Sequence, residues 1–474
     1  MPRRWVGYLL EPVDAASVGV FRIVFGSLVA IDALRFLGGG YVDEYFVAPR
    51  IHFTYLYLDG VQPLARPWMY AHMWTLATAA LLLALGLAYR LAAIVLCGTY
   101  AYFFLLEQAI YQNHYYLILL FTGLLLWIPA DRAYALDTLW RSPRPAVVPR
   151  WSVLILRFQL FVMYAYGAIA KLNADWLRGE PMYSLFTQAD AAVPAIAHTV
   201  PPALLAYGIA YAGIACDVAI PLLLVWQRTV WLGFTLACAF HVLNGIFLNI
   251  GIFSYLAVGA ITIFFAPDWP RRLRAWMTAT PAPHPAPHGP AAPTGRTRVL
   301  LAALHVYVVL QLLVPLRHVL YPGPVNWTEE GHRFSWHMKL RSKRASMTVT
   351  ATDPATGRRW QLDPAADLSH RQLVKLRTAP DILLQYVHAQ RDRLRAAGVG
   401  DPVITVDWWC SLNGRTAQRL VDPTVNLAAV ERSWRPASWI LPLADPPAGP
   451  GRSRSDPSEP PRSVLTGENG LRKP

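Results

Sequence analysis

Lys171 closes a long apolar run in YGAIAKLNADWLRGEPM, the stretch from Tyr166 to Met182. Asn113 and His114 sit in FLLEQAIYQNHYYL, and His241 and Asn244 fall inside FHVLNGIFLNIGIFSY. Ionisable and strongly polar side chains inside apolar segments of membrane length are costly, and they mark functional positions. An amine held among apolar groups is a candidate general base, and neighbouring imidazole and amide groups can hydrogen-bond a developing oxyanion. Such a set fits the deprotonation of a lipophilic acid such as a quinol. Each residue also has a plainer reading. Lysines at helix ends snorkel to the interface, membrane histidines hydrogen-bond between helices, and Asn113 is a candidate helix cap.

The surrounding sequence is membrane sequence. Of 474 residues 54% are hydrophobic and 15% charged, more apolar than a soluble protein of this size. Runs of about 17 to 25 apolar residues span a bilayer. That criterion predicts nine transmembrane helices, near residues 17–37, 70–88, 91–110, 114–130, 151–172, 203–226, 229–247, 248–266 and 299–320. The net charge of +14 comes largely from arginines in short loops and the C-terminal third, which suits a lipid surface. No basic stripe with interleaved aromatics supports a nucleic-acid partner. Placing Arg3 and Arg4 in the cytoplasm puts DRAYALDTLWRSPRPAVVPR, the Gln227-Arg228 turn and PDWPRRLRAW on the same side, as the positive-inside rule requires. The apolar core of MPRRWVGYLLEPVD is too short for a cleavable signal peptide, so the first span is expected to direct insertion into the cell membrane.

In this topology Lys171, Asn113 and His114 lie at the outer ends of their spans and His241 and Asn244 in the outer half of theirs. Three segments distant in sequence thus deliver an amine, two imidazoles and two amides to one depth. Arg22, Asp32, Arg157 and Asp217 read as structural groups paired inside the bundle.

The expected architecture is a membrane α-helical bundle over residues 1–320, with a proline-rich cytoplasmic linker at 280–298. It is followed by an extracytoplasmic β-rich, sandwich-like domain at 321–443 and a disordered tail at 444–474. In the soluble part MTVTATDPATGRRWQLDP and PVITVDWWCSLNGRTAQRLVDP each alternate around a turn. The Asn413-Gly414 pair is a strong hairpin signal. Between them PDILLQYVHAQRDRLRAAG has helical periodicity and a glycine stop. Cys97, Cys216, Cys238 and Cys410 show neither metal-ligand spacing nor a disulfide framework, and no metal is expected.

Seven collinear stretches, PVDAASVGVFRIVFG, FLLEQAIYQNHYYL, GAIAKLNADWLRGEPM, FHVLNGIFLNIGIFSY, APDWPRRL, EEGHRFSWHMKLRS and VDWWCSLNGRTAQRLVDPTV, resemble the vitamin K-dependent γ-glutamyl carboxylase family from about residue 11 to about residue 440. The resemblance implies a membrane enzyme whose lysine, at Lys171, deprotonates reduced vitamin K, here phylloquinol or menaquinol. O2 then converts the quinol to its epoxide through a strongly basic species that removes a γ-proton from a substrate glutamate, and CO2 captures the carbanion. By position, Asn113, His114, His241 and Asn244 fall to the quinol. The stretch His332 to Met338, with Trp336 and Arg341, falls to glutamate binding. The implied partners are membrane lipid and a glutamate-containing peptide or protein. His332, His337 and Arg341 depart from the tyrosine, aspartate and histidine of animal members, so peptide recognition is expected to differ. The alternative for this segment is an edge strand packed on the membrane part. Competing functions are quinol epoxidation with another acceptor, or a non-catalytic binding or transport protein. No internal repeat supports transport.

Overall fold

The structure, a computed structural model, describes residues 3–140, 142, 144–187, 199–248, 251–279 and 294–444. The expected tail from residue 445 and most of the expected linker lie outside the described residues. The apolar helices are α1 (Ala16–Gly38), α2 (Arg66–Leu85), α3 (Tyr89–Leu106), α4 (Asn113–Leu125), α5 (Arg150–Lys171), α6 (Pro202–Val225), α7 (Val230–Leu248), α8 (Phe253–Ile261) and α9 (Gly295–Leu313). Seven are long and apolar enough to cross a membrane; α4 and α8 are shorter. Among the described residues, seven of the nine expected spans are thus found at full length, and the fourth and eighth coincide with shorter apolar helices. α9 begins at Gly295, capped by the Thr294 side chain, inside the stretch expected to be linker.

The short helices have a physical consequence. Thirteen residues of α4 reach only about 20 Å, less than the ~30 Å hydrocarbon core. The chain between α3 and α4 runs as irregular backbone, with a single 3-10 turn at Gln108–Ile110. Non-helical backbone at membrane depth is tolerated only where protein buries it or it lines a cavity. Here it does both, as described below.

Small residues let the helices approach closely. A Cβ at Gly26 of α1 would lie 2.7 Å from the Ala80 carbonyl oxygen and 2.9 Å from the Ala84 Cβ of α2. This is the small-residue packing typical of membrane helices, where apolar burial alone gives no preference for helix over lipid. α2 stops at Gly86, whose φ of +66° closes a left-handed cap. Arg22 and Arg157, expected to pair inside the bundle, bond to backbone instead. Arg22 donates to the Tyr134 carbonyl at 2.7 Å, and Arg157 donates to those of Ile263 and Phe265 at 2.9 Å each. Asp32 pairs with Arg35 one turn along its own helix, at 2.8 Å.

The soluble part contains one antiparallel four-stranded sheet among the described residues, where a two-sheet sandwich was expected. Its strands are β1 (Lys343–Thr352), β2 (Arg359–Leu362), β3 (Val403–Leu412) and β4 (Gln418–Arg419), in the order β2-β1-β3-β4. β1 and β3 pair over their full length, from Lys343 opposite Leu412 to Thr352 opposite Val403. Asn413 and Gly414 both take left-handed φ, 52° and 74°, at the turn that leaves β3. Alternate residues Ile404, Val406, Trp408 and Cys410 face inward and share a core with Ile382, Leu383, Tyr386 and Val387. These last belong to α11 (Pro380–Ala396), which follows a shorter α10 (His370–Leu376). One helix layer therefore covers the sheet where the sandwich needed a second sheet.

Side-chain amides and one carboxylate weld the soluble part to the bundle. Glu107, fully buried at the end of α3, accepts from Gln372 of α10 at 2.8 Å and from the amide of Ala109. Gln385 of α11 donates to Gln108 and accepts from the amide of Thr54, both at 2.8 Å. The soluble layer is thus fixed at the end of the bundle where α4 begins and α5 ends.

Candidate active site

Beneath this layer lies a cavity of about 800 Å³ lined by residues of α4 to α8, the Glu329–Lys343 stretch and α10. Its two halves differ in chemistry.

The half inside the bundle holds Lys171, His114, Asn113, His241 and Asn244, the residues singled out in sequence, among Trp176, Phe186, Phe240, Phe247 and Phe253. Lys171 is buried at the C-terminal end of α5, and it neither snorkels nor reaches solvent. Its ammonium donates to Asp217 of α6 and, at 3.3 Å, to the Gly167 carbonyl, and it lies 5.4 Å from the Trp176 ring centroid. Asp217, read from sequence as a structural group, is thus the direct partner of the candidate base. Phe253 at the start of α8 stands between the imidazoles, with ring centroids 6.1 Å from His114 and 5.6 Å from His241. His241 Nε2 lies 2.5 Å from the Tyr164 hydroxyl, while its Nδ1 is buried with no partner among the described residues. A buried polar atom without a partner is costly, and it fits a ligand oxygen.

Asn113 lines the cavity and also braces the soluble segment. It does not cap α4, whose N-cap is Gln112. Its amide donates to the His337 carbonyl at 3.0 Å and accepts from the Tyr111 hydroxyl at 3.1 Å. Tyr111 in turn accepts from the Phe334 amide at 2.7 Å. Membrane helix and soluble segment are pinned together beside the cavity.

The other half is the loop from Glu329 to Lys343. It is a chain of turns and not the edge strand weighed above, with left-handed φ at Glu329, Phe334, Trp336 and Lys339. Non-glycine residues hold that conformation only when their surroundings over-determine it, and such strain gathers at functional sites. Trp336 supplies part of the constraint. It is fully buried, 5.1 Å from the Tyr116 ring of α4, and anchors the loop without lining the cavity. His332 and Arg341 do line it. Arg341 donates to His332 Nε2 and pairs with Glu329 at 2.6 Å, and Lys343 reaches the same carboxylate at 2.8 Å. Ser335 gives its one proton to the His332 carbonyl, so its oxygen accepts from His337 Nδ1 at 2.7 Å, leaving Nε2 of His337 as an acceptor. Burial, with His318 and Arg341 adding to it, pushes His337 down to about 3, so the ring is neutral at physiological pH. His332 is held well below the usual histidine range by burial and by Arg341. Three further cations, Lys339, Arg371 and Lys375, line this half. No sequence periodicity pointed to them.

A bundle of apolar helices carrying a soluble domain over a buried amine, two imidazoles and a cationic loop defines a multi-pass membrane protein with a site at the domain junction. Residues 10–269 match the HTTM domain, and residues 296–446 match the lumenal domain of vitamin K-dependent gamma-carboxylase. The chain belongs to the vitamin K-dependent gamma-carboxylase family. No solved structure matches it.

Proposed function

We propose that the protein is a γ-glutamyl carboxylase of the cell membrane that couples epoxidation of a reduced vitamin K-type quinol by O2 to carboxylation of peptide glutamate by CO2. The observation that carries this reading is the placement of Lys171, His114 and His241 on one partly closed cavity beneath a cationic loop. The topology that goes with it has the N-terminus in the cytoplasm and the soluble domain outside, with α4 and α8 completing nine crossings.

The cavity suits a quinol. Its volume falls within the ~300–1,000 Å³ usual for small-molecule sites, its inner half is aromatic, and the unpartnered nitrogen of His241 offers a polar contact to a ring oxygen. Bound quinol supplies, through its oxidation by O2, the driving force and the strong base needed to remove a γ-proton. The residues then have separable tasks. Lys171 and Asp217 form an ion pair of zero net charge, and transfer of the ammonium proton to the Asp217 carboxylate frees the amine to take up the quinol proton. His114 and His241 orient the ring and stabilise oxygen-centred charge. The strained loop and the soluble layer above it keep water from a carbanion that would otherwise be reprotonated.

The test is to supply reduced vitamin K, a glutamyl peptide and labelled bicarbonate to the purified protein and to its Lys171→Ala variant. Lysine-dependent label in the peptide together with epoxide supports the reading. Epoxide without labelled peptide supports epoxidation with another acceptor, and neither product ends the enzymatic reading.

A further inference from the structure

The soluble half of the cavity is lined by Arg333, Lys339, Arg341, Lys343, Arg371 and Lys375, with Glu329 as its carboxylate. Three of these cations are committed: Arg341 and Lys343 to Glu329, and Arg333 to Asp381 at 2.6 Å. Lys339, Arg371 and Lys375 make no ion pair and no side-chain hydrogen bond among the described residues. Like charges crowded on the wall of a partly closed cavity repel, and they are stabilised together by an anion from outside.

We infer that Lys339, Arg371 and Lys375 form an anion subsite that binds the side-chain carboxylate of a glutamyl peptide, a refinement that rests on the carboxylase reading. Arg341, expected from sequence to hold that carboxylate, already has its guanidinium on Glu329 and His332. The recognising charge therefore moves to the neighbouring residues.

Helix geometry supports a built site. Arg371, Val374, Lys375 and Thr378 follow one another at spacings of three, one and three residues, and all line the cavity. Gln372 and Leu376, on the other face of α10, are buried against Glu107 and in the domain core. Arg371 lines the same cavity as His114 and His241, so the cationic wall and the imidazoles of the membrane half share one space. A lipid phosphate is the rival occupant. All three cations belong to the soluble part and line the same cavity as the imidazoles, whereas headgroups meet a bundle from its perimeter, so the peptide is favoured.

The experiment places full-length protein in phosphatidylcholine nanodiscs and measures anisotropy of a fluorescent peptide carrying one glutamate, beside its glutamine twin. A charge-assisted hydrogen bond is worth about 1.5–3 kcal/mol, or roughly tenfold or more in affinity. The glutamine peptide and the Lys339→Gln/Arg371→Gln/Lys375→Met variant should each weaken binding by at least about tenfold. Lys375→Met alone should weaken it by a smaller factor, and Lys375→Arg should restore it. Raising salt from about 50 to 300 mM should weaken the wild type more than the triple variant. The subsite is overturned if the folded variants bind the glutamyl peptide as tightly as wild type, or if both peptides bind wild type alike. It is also overturned if phosphatidylglycerol in the nanodisc displaces the peptide by occupying these cations. Because binding is read without turnover, a wild type that binds glutamate selectively yet carboxylates nothing sinks the proposed function and leaves the subsite standing.

Discussion

Lys171 at the end of α5 and Asp217 within α6 form an ion pair buried in the bundle, with side chains 8% and 4% exposed. Neither charge would be tolerated alone at that depth, so each residue explains the other. Removing one partner leaves an uncompensated buried charge, at a cost of about 3–5 kcal/mol. Lys171→Ala and Asp217→Asn should each lower the melting temperature, whereas the double variant should recover most of the loss because it removes both charges. Turnover should stay lost in the double variant if the pair carries the proton. Thermal melting of the three variants beside quinol consumption separates the two roles. A small amine that restores turnover to Lys171→Ala would confirm the lysine as proton acceptor.

The Tyr164 hydroxyl, 2.5 Å from His241 Nε2, fixes the rotation of that ring and hence where Nδ1 points. Tyr164→Phe keeps the packing and removes the bond. If His241 acts by orienting a bound ring, turnover should fall by about 10- to 100-fold, with melting shifted little, since one neutral hydrogen bond is worth only about 1 kcal/mol. Equal turnover in the variant would remove His241 orientation from the mechanism.

Much of this arrangement is visible in the sequence, for physical reasons. Apolar runs reveal spans because the bilayer demands length, and alternation around Asn413-Gly414 reveals a hairpin because left-handed φ restricts the residues that fit. Lys171, His114 and His241 could be brought to one depth because topology converts sequence position into height. Lateral neighbours leave no such trace. Asp217 in an apolar helix looks the same whether it meets Lys171 or another cation, and 46 residues separate the two. Trp336 reads as a ligand-facing aromatic until packing shows it turned into Tyr116. Lys339, Arg371 and Lys375 resemble solvated charges of an ordinary domain surface until the bundle closes beneath them. The shortness of α4 and α8 was hidden because the apolar run continues through residues that leave the helix.

Lys375 gives the anion subsite a pH signature. Burial, then Arg341 and Arg371, push its amine down to about 7, with Arg333 adding to the effect and Glu329 opposing it. The amine is therefore charged below about pH 7 and neutral above, while His332 and His337 stay neutral across this range. Affinity for a glutamyl peptide, ionised throughout, should be highest near pH 6 and fall between about pH 7 and 8.5. Lys375→Arg, whose guanidinium stays charged, should flatten that decline. Anisotropy titrations of both proteins across the range decide it, and parallel declines would assign the pH dependence elsewhere.

Asp175 lies four residues beyond Lys171, in a short turn capped by Asn173. Arg415, just past β3, grips it with both terminal nitrogens at 2.6 and 2.9 Å, while Asn413 donates to the same carboxylate at 2.8 Å and to the Leu340 carbonyl at 3.3 Å. One carboxylate thus joins the end of the base-bearing helix, the hairpin turn of the sheet and the end of the strained loop. Arg415→Ala would leave the buried Asp175 carboxylate with the Asn413 hydrogen bond but no counter-charge, so stability should drop by about 3–5 kcal/mol. Arg415→Lys should rescue little, because a point-charge ammonium cannot reproduce the two-pronged contact. Since the grip holds the loop over the cavity, the lysine variant should also lose its seal against water. In the carboxylase reading that loss appears as uncoupling: epoxide formed per carboxylated glutamate should rise, because a wetted carbanion is reprotonated before CO2 arrives. Measuring both products in Arg415→Lys, with melting as the control for folding, tests this; an unchanged ratio in a folded variant would show that the clamp stabilises the fold without sealing the site.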